Sequence, residues 1–397
     1  MAELTRRTFI GGVAAAAGAA AAGAAAVSCS RSRSPAGFVH RTGQRLYLNG
    51  KPYRFIGFNI WRACVTSWNH PPNDTRYFVN DGTTLAASLA QINANGGKMN
   101  GFRTWFYQQF ALNNGVRDWT ALDHCLTAAG NAGFKVICTL QDQYNYEGTG
   151  HKDTTWYRTG YTSAVGRYET VPYRQWVNEV VNRYKDDDRI LMWELMNEPD
   201  VSGGAGAGGV GGAGGAGAGC PADAPRIFQA FRDDVAGLIK SIDPNHLVSL
   251  GTGYWGQCGM SGTGTGNHWA AAADSPHIDI CSWHDYSGYR NAKGTAADGN
   301  GLDHRWQDAA RLDKPIYVGE CGIKLDSYVG YSTFERASYL DDKMSAQFAN
   351  YTNLAGHLSW EWDSRGTPPG TSYSYAANDP ALAIMNKYTL FPRVPAK

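Results

Sequence analysis

The 397 residues suffice for one large domain or two ordinary ones, and 43% hydrophobic against 18% charged residues reads as globular. Setting aside residues 1–28, with Arg6, Arg7 and Glu3, leaves 34 of the 36 basic and 34 of the 35 acidic residues. That balance gives no reason to expect nucleic acid or an anionic membrane surface as partner. A neutral polymer fits better, and 13 Trp and 22 Tyr offer flat apolar faces with polar tips that suit sugar rings.

The N-terminus reads as a targeting segment outside the fold. Thr5-Arg6-Arg7-Thr8-Phe9-Ile10 is a twin-arginine signature, and an Ala-rich run follows to Val27. The run is long enough to span a bilayer, but it is Ala/Gly-rich rather than Leu-rich, so export is favoured over an anchor. It ends in Ala26-Val27-Ser28-Cys29, which fits either lipoprotein cleavage before Cys29 or ordinary signal-peptidase cleavage nearby. The mature chain is expected to be secreted or held at the cell envelope. It then comprises a linker over 29–37 and a single domain over 38–397, with no membrane-spanning segment, acting as a monomer.

Arg45–Phe55 carries an Asn49-Gly50 turn and predicts a hairpin. Short apolar runs then recur at 55–59, 101–105, 135–140, 190–197, 247–251, 278–283, 315–320 and 358–362. Helical patterns lie between them at 83–95, 119–132, 171–185, 225–242, 302–312 and 334–353. Strands alternating with helices imply a parallel sheet. Eight strand-like runs predict an α/β fold, a (β/α)8 barrel, over the alternative of an open doubly wound sheet. Residues 203–219, with 11 Gly, five Ala and one Val, have no side chains to bury and are expected to form a flexible loop inserted after the fourth strand.

In such a barrel the chemistry sits at the carboxyl ends of the strands. Polar and aromatic residues gather there: Asn59 and Trp61, Arg103 and Trp105, Gln141 and Asp142, Asn197 and Glu198, His284 and Tyr286, Glu320, and Trp360 with Trp362. Two of the runs end in glutamates, Trp193-Glu-Leu-Met-Asn-Glu198-Pro199 and Pro315-Ile-Tyr-Val-Gly-Glu320. Two carboxyls at strand ends are what glycosidic cleavage needs, one to protonate the leaving oxygen and one to attack the sugar carbon. Pro199 stops the strand and holds Glu198 at the rim, which suits the acid/base. Glu320 suits the nucleophile, which must stay ionised and so needs a cation and donors nearby. Arg103 is the expected cation and Tyr286 the expected hydroxyl donor. Asn197 is placed to donate to the sugar 2-hydroxyl, and His284, two residues from Tyr286, to face the same side. Trp360 is the expected sugar platform, with Trp61, Trp105 and Trp362 extending the cleft.

Other signals point away from the site. Gly251-Thr-Gly253-Tyr-Trp-Gly256 matches a dinucleotide fingerprint, but no helical pattern follows it. Glu194 and Glu361 sit inside their runs and read as structural. No P-loop, HExxH or GxSxG occurs, and without a CxxC pair no structural zinc is expected, so neither metal nor cofactor is called for. Cys220 and Cys258, each after a Gly-rich loop, are the expected disulfide. Cys138, Cys281 and Cys321 are expected as buried thiols.

Together, Trp193-Glu-Leu-Met-Asn-Glu198-Pro199, the later strand-end Glu320, His284-Asp-Tyr286 and Gly356-His-Leu-Ser-Trp360 resemble glycoside hydrolase family 5. Gly101-Phe-Arg103-Thr-Trp105-Phe, Leu140-Gln-Asp-Gln-Tyr144 and Leu46 through Asn49-Gly50-Lys51-Pro52 resemble its endo-β-1,4-mannanase branch. The resemblance covers about residues 38–365. It implies a (β/α)8 barrel that retains anomeric configuration, with Glu198 as acid/base and Glu320 as nucleophile. Arg103, Asn197, His284, Tyr286 and Trp360 would line the cleavage subsite, and a neutral β-linked polysaccharide would be the substrate. The 203–219 insertion departs from the pattern. So does Ser287-Gly-Tyr-Arg290, where the branch carries another Trp, and β-glucan or β-galactan remain alternative substrates. A barrel that binds sugar without cutting it would lack a carboxylate or its support; here Glu198, Glu320, Arg103 and Asn197 are all present.

Overall fold

The computed structural model describes residues 35–65, 84–144, 149–203, 219–253, 256–262, 266–286, 301–325, 332–363 and 373–390. The twin-arginine segment, Cys29, most of the 203–219 insertion and Ser287–Arg290 lie outside these residues. Among the described residues no helix is long and apolar enough to cross a membrane.

Three antiparallel strands come first: β1 (Val39–Thr42), β2 (Arg45–Leu48) and β3 (Lys51–Tyr53). The predicted hairpin is β2–β3, turning on Asn49 and Gly50 at positive φ; β1 adds a strand that the sequence pattern did not signal. Eight parallel strands follow: β4 (Phe55–Asn59), β5 (Gly101–Trp105), β6 (Lys135–Thr139), β7 (Ile190–Glu194), β8 (Leu247–Ser249), β9 (Cys281–Asp285), β10 (Ile316–Gly322) and β11 (Leu354–Trp360). Their order is β8-β7-β6-β5-β4-β11-β10-β9. At the seam between β8 and β9 the amide of Asp279 donates to the carbonyl of Val248 at 2.9 Å, which closes the ring into the expected (β/α)8 barrel.

Each barrel strand is followed by a helix: Thr84–Ile92, Thr120–Asn131, Tyr173–Tyr184, Ala224–Ile242, Trp269–Ala273, Leu302–Arg311, Thr333–Asn350 and Ala381–Asn386. The barrel strands are buried on both faces, which is why they read as apolar runs rather than alternating ones. One face packs outward on the helices through Ile56, Phe102, Val136, Trp193, Val248 and Val318. Phe55, Ile137, Tyr317 and Leu358 belong to a second cluster that Val39, Leu46, Leu48 and Tyr53 of the N-terminal sheet complete. That sheet closes the barrel end opposite the strand carboxyl ends. Cys220 and Cys258 form the expected disulfide, and Cys138, Cys281 and Cys321 are buried thiols.

Candidate active site

At the carboxyl ends of β4, β5, β7 and β10 the inward positions turn polar, and one guanidinium joins them. Arg103, on β5, is fully buried. Its Nε donates to Glu194 Oε1 at 2.7 Å, and a terminal nitrogen donates to Glu320 Oε1 at 2.8 Å and to Asn59 Oδ1 at 3.0 Å. The other terminal nitrogen donates to Asn197 Oδ1 at 2.7 Å. Burial alone would lower its pKa, but the carboxylates of Glu194 and Glu320 reverse that and hold the guanidinium charged. Glu194 is saturated in turn, accepting from Thr139 Oγ1 at 2.8 Å and from the Tyr317 hydroxyl. Its reading as structural holds; the sequence did not reveal that it anchors the arginine.

Glu320 reaches this network because of a bulge. Trp283 pairs with Val318 but His284 pairs with Glu320, so Gly319 is the extra residue. Two residues of β10, Tyr317 and Glu320, can then both point inward where strict alternation would send one outward. A Cβ at position 319 would stand 3.0 Å from the His284 ring, so a side chain there would displace the imidazole. Glu320 Oε2 accepts from the Tyr286 hydroxyl at 2.7 Å. Burial pushes the Glu320 carboxyl up, against the pull of His284, Arg103 and the Tyr286 donor. Both its oxygens already accept from donors, the arrangement that suits a carboxylate.

Glu198 is held differently. It lies past the end of β7 with φ at 49°, the left-handed region that a non-glycine residue rarely occupies. Its backbone N–H donates to the carbonyl of Gly251 at 2.9 Å. A Cβ at Gly251 would meet the Met196 carbonyl oxygen at 1.8 Å, and one at Gly253 would meet the Glu198 carboxyl oxygen at 3.0 Å. The glycines that imitate a dinucleotide fingerprint therefore make room for Glu198. Beyond it, Asp200 accepts the Cys258 amide at 2.9 Å, and the neck of the insertion closes with the Gly203 amide on the Gly219 carbonyl at 2.7 Å. The Cys220–Cys258 disulfide ties that neck to the loop after β8.

His284 stands between the glutamates. Its Nδ1 is 2.7 Å from Glu198 Oε1 and 3.5 Å from Glu320 Oε1; opposite a carboxylate, Nδ1 is the donor. Ligand atoms of Glu198, His284 and Glu320 lie within 4.8 Å of one another. Among the described residues this is the grouping whose spacing could hold a metal, but the guanidinium of Arg103 already sits on Glu320 there. One oxygen of the Glu198 carboxyl therefore lies within 4.8 Å of one oxygen of the Glu320 carboxyl.

The sequence-predicted residues divide by exposure. Glu198 is 8% exposed, Glu320 4% and Asn197 3%, while Tyr286, Trp61 and Trp360 are half-buried. Asn197 accepts from Arg103 and donates to Asp142 Oδ1 at 3.0 Å, which leaves it one amide hydrogen for a ligand. Trp360 is near-parallel to Trp61, with centroids 6.0 Å apart. Of the other residues expected at the site, Asn59, Arg103 and His284 are fully buried, and Trp105 and Trp362 are buried as well. Asn59 spends both ends of its amide on Arg103 and on the Gly319 carbonyl at 2.9 Å. Trp105 lies under Trp360 and over Arg103, and Trp362 packs on Phe58. Glu361 also departs from expectation: β11 ends at Trp360, so this carboxyl stands past the strand end, half-buried.

The sequence model of the family described as Cellulase (glycosyl hydrolase family 5) matches residues 48–366. The chain belongs to glycosyl hydrolase family 5. A probable mannan endo-1,4-beta-mannosidase C of Aspergillus terreus is 28% identical over 287 residues, 64% of this chain and 66% of that protein. Mannan endo-1,4-beta-mannosidase 3 of Arabidopsis thaliana is 26% identical over 375 residues, 85% of this chain and 84% of that one. Among solved structures, the endo-1,4-beta-mannanase from Rhizomucor miehei superposes with a TM-score of 0.61 at 20% identity, covering 88% of this chain and 97% of the other. The endo-beta-1,4-mannanase from Thermotoga petrophila gives 0.59 at 17%, covering 86% and 77%. These two likenesses are of fold. As a family 5 glycosyl hydrolase, the protein is a glycosidase.

Proposed function

We propose that the protein is an exported retaining endo-β-1,4-mannanase, with Glu198 as general acid/base and Glu320 as nucleophile. The observation that carries the mechanism is the short separation of these two carboxyls, with Arg103 and Tyr286 donating to one and His284 to the other. In the first step a Glu320 oxygen attacks the anomeric carbon while Glu198 gives its proton to the departing glycosidic oxygen. In the second, Glu198 takes a proton from water, and the resulting hydroxide displaces Glu320 from the anomeric carbon and frees it. Arg103 and Tyr286 keep negative charge on Glu320 favourable when it is expelled. Trp360 offers an apolar face to the sugar being cut, and the spare hydrogen of Asn197 can reach its 2-hydroxyl.

Mannan as the polymer is supported by the named activities of the relatives, and the even charge of the mature chain suits an uncharged glycan. Export is supported by the Arg6-Arg7 signature and by the Cys220–Cys258 disulfide, a bond that persists in oxidising compartments. The test is to incubate the mature protein with β-1,4-linked hexaoses of mannose, glucose and galactose and to read product lengths and anomers. The proposal expects mannose oligomers of intermediate length with the β-anomer formed first. Cleavage of the glucose or galactose series alone would overturn the assignment of polymer, and release of single sugars alone would overturn endo action.

A further inference from the structure

A third carboxyl, outside the proposed catalytic pair, stands just past the end of β11. Glu361 follows the strand-end platform Trp360, and its Oε2 accepts the indole N–H of Trp61. The Ser374 hydroxyl lies 3.4 Å from its other oxygen. Backbone bonds fix the segment on both sides: the Tyr375 amide donates to the Glu361 carbonyl at 2.8 Å, and the Trp362 amide to the Asn59 carbonyl at 2.9 Å. Trp61 lies near-parallel to Trp360, 20° between planes, with the buried Trp105 6.1 Å from it. Arg62 covers part of the Trp61 ring, 4.4 Å from its centroid.

An indole on a loop past a strand end has two free side-chain torsions. Stacking and edge contacts restrict its plane, whereas a hydrogen bond from its single N–H to a fixed acceptor sets its rotation as well. We propose that Glu361 is a positioning residue for the sugar-binding wall, whose carboxyl holds Trp61 so that Trp61 and Trp360 present one continuous apolar surface to the glycan. Burial pushes this carboxyl up to about 7, while the Trp61 donor pulls the other way. The indole contact therefore offsets part of what burial costs the ionised form. A fixed wall stacks on neighbouring pyranose rings without losing side-chain entropy on binding, so its effect falls on affinity rather than on bond cleavage.

The inference rests on the glycanase reading, and its test has an arm that does not. In the sugar-free protein with 15N-labelled tryptophan, the indole N–H resonance of Trp61 is assigned by its disappearance in Trp61→Phe. Glu361→Ala should shift that resonance upfield and speed its exchange with solvent; an unmoved resonance overturns the proposal whatever the substrate. On β-1,4-mannohexaose, Glu361→Ala and Trp61→Phe should each raise KM by about tenfold, the order of one charge-assisted hydrogen bond, with kcat changed far less. The double variant should be no worse than either single one. Glu361→Gln, which keeps an acceptor oxygen and the side-chain shape, should recover most of the loss. Multiplied losses in the double variant, or a fall in kcat with KM unchanged, overturn it. If the wild-type protein leaves mannohexaose uncut, the mannanase reading has failed, and the resonance decides the role of Glu361.

Discussion

The carboxyl of Glu320 takes its contacts from Arg103, buried on β5 and locked by Glu194, and from Tyr286 just past the end of β9. Glu198 instead stands on a loop in left-handed conformation, beside glycines, a single imidazole and a disulfide-tied neck. The difference matches what the proposed roles demand. A nucleophile must carry the same charge at the start of every cycle and is expelled as an anion, so fixed donors and a buried cation serve it. An acid/base must gain and lose a proton, and one adjustable neighbour leaves both states accessible. The two halves of the site should therefore break differently.

The largest effect is expected at the pair itself. Glu320→Ala should abolish turnover of every substrate. Glu198→Ala should lower kcat/KM on mannohexaose by about 10²–10⁴-fold, the usual contribution of a general acid, yet keep turnover of dinitrophenyl mannosides, whose leaving group needs no proton. Equal and mild losses from both variants would refute the division of roles. Next comes the scaffold beneath Glu320. Glu194→Gln keeps the side-chain shape but removes a buried carboxylate that accepts Arg103, Thr139 and Tyr317. Chemical denaturation should show a loss of about 3–5 kcal/mol, as for other broken buried ion pairs, together with lost activity.

The Glu198 side should respond more gently. Replacing Cys220 and Cys258 by serine opens a link between residues 38 apart in sequence, and unfolding free energy should fall by about 2–4 kcal/mol. Activity should drop on mannohexaose more than on dinitrophenyl mannosides, because the loop that loosens carries the acid; an equal drop on both would argue that the link acts on stability alone. The smallest effect is at Asp200, whose carboxyl burial raises to about 6. Its folded pKa lies above its unfolded one, so the carboxyl costs no stability below about pH 4 and an increasing amount as pH rises through 6. Asp200→Asn should then raise Tm at pH 8 relative to wild type and leave it level at pH 4. A gain that does not change with pH would contradict the burial account.

The sequence carried the barrel because strands covered on both faces are written as unbroken apolar runs: β4 and β5 begin and end where the pattern puts them. It misplaced β9 and β11. At β9 the strand runs on through the polar His284 and Asp285, which look like loop although they are strand. At β11, Gly356 and His357 interrupt the apolar run, which hid the start of the strand and made Glu361 look internal when it lies past the end. The five-residue helix Trp269–Ala273 and the six-residue helix Ala381–Asn386 are too short for periodicity to register. Both glutamates were legible at the ends of their apolar runs, although Glu198 lies past the end of β7 and Glu320 inside β10. The bulge at Gly319 that aims Glu320 was not, because an extra residue in a strand changes register without changing composition. Nor could a pattern of one strand show that Arg103, Asn59 and His284 end up fully buried, since that depends on which side chains from other strands surround them.

The role of Glu320 as the residue that bonds to sugar is most directly tested with 2,4-dinitrophenyl 2-deoxy-2-fluoro-β-mannoside. Its fluorine slows the second step, and its leaving group lets the first proceed, so the glycosyl-enzyme accumulates. Peptide mass spectrometry of the inactivated protein should find one fluoromannosyl group, on the peptide containing Glu320 and on that side chain. A label on Glu198 or Glu361, or uninterrupted turnover with the α-anomer formed first, would contradict the account.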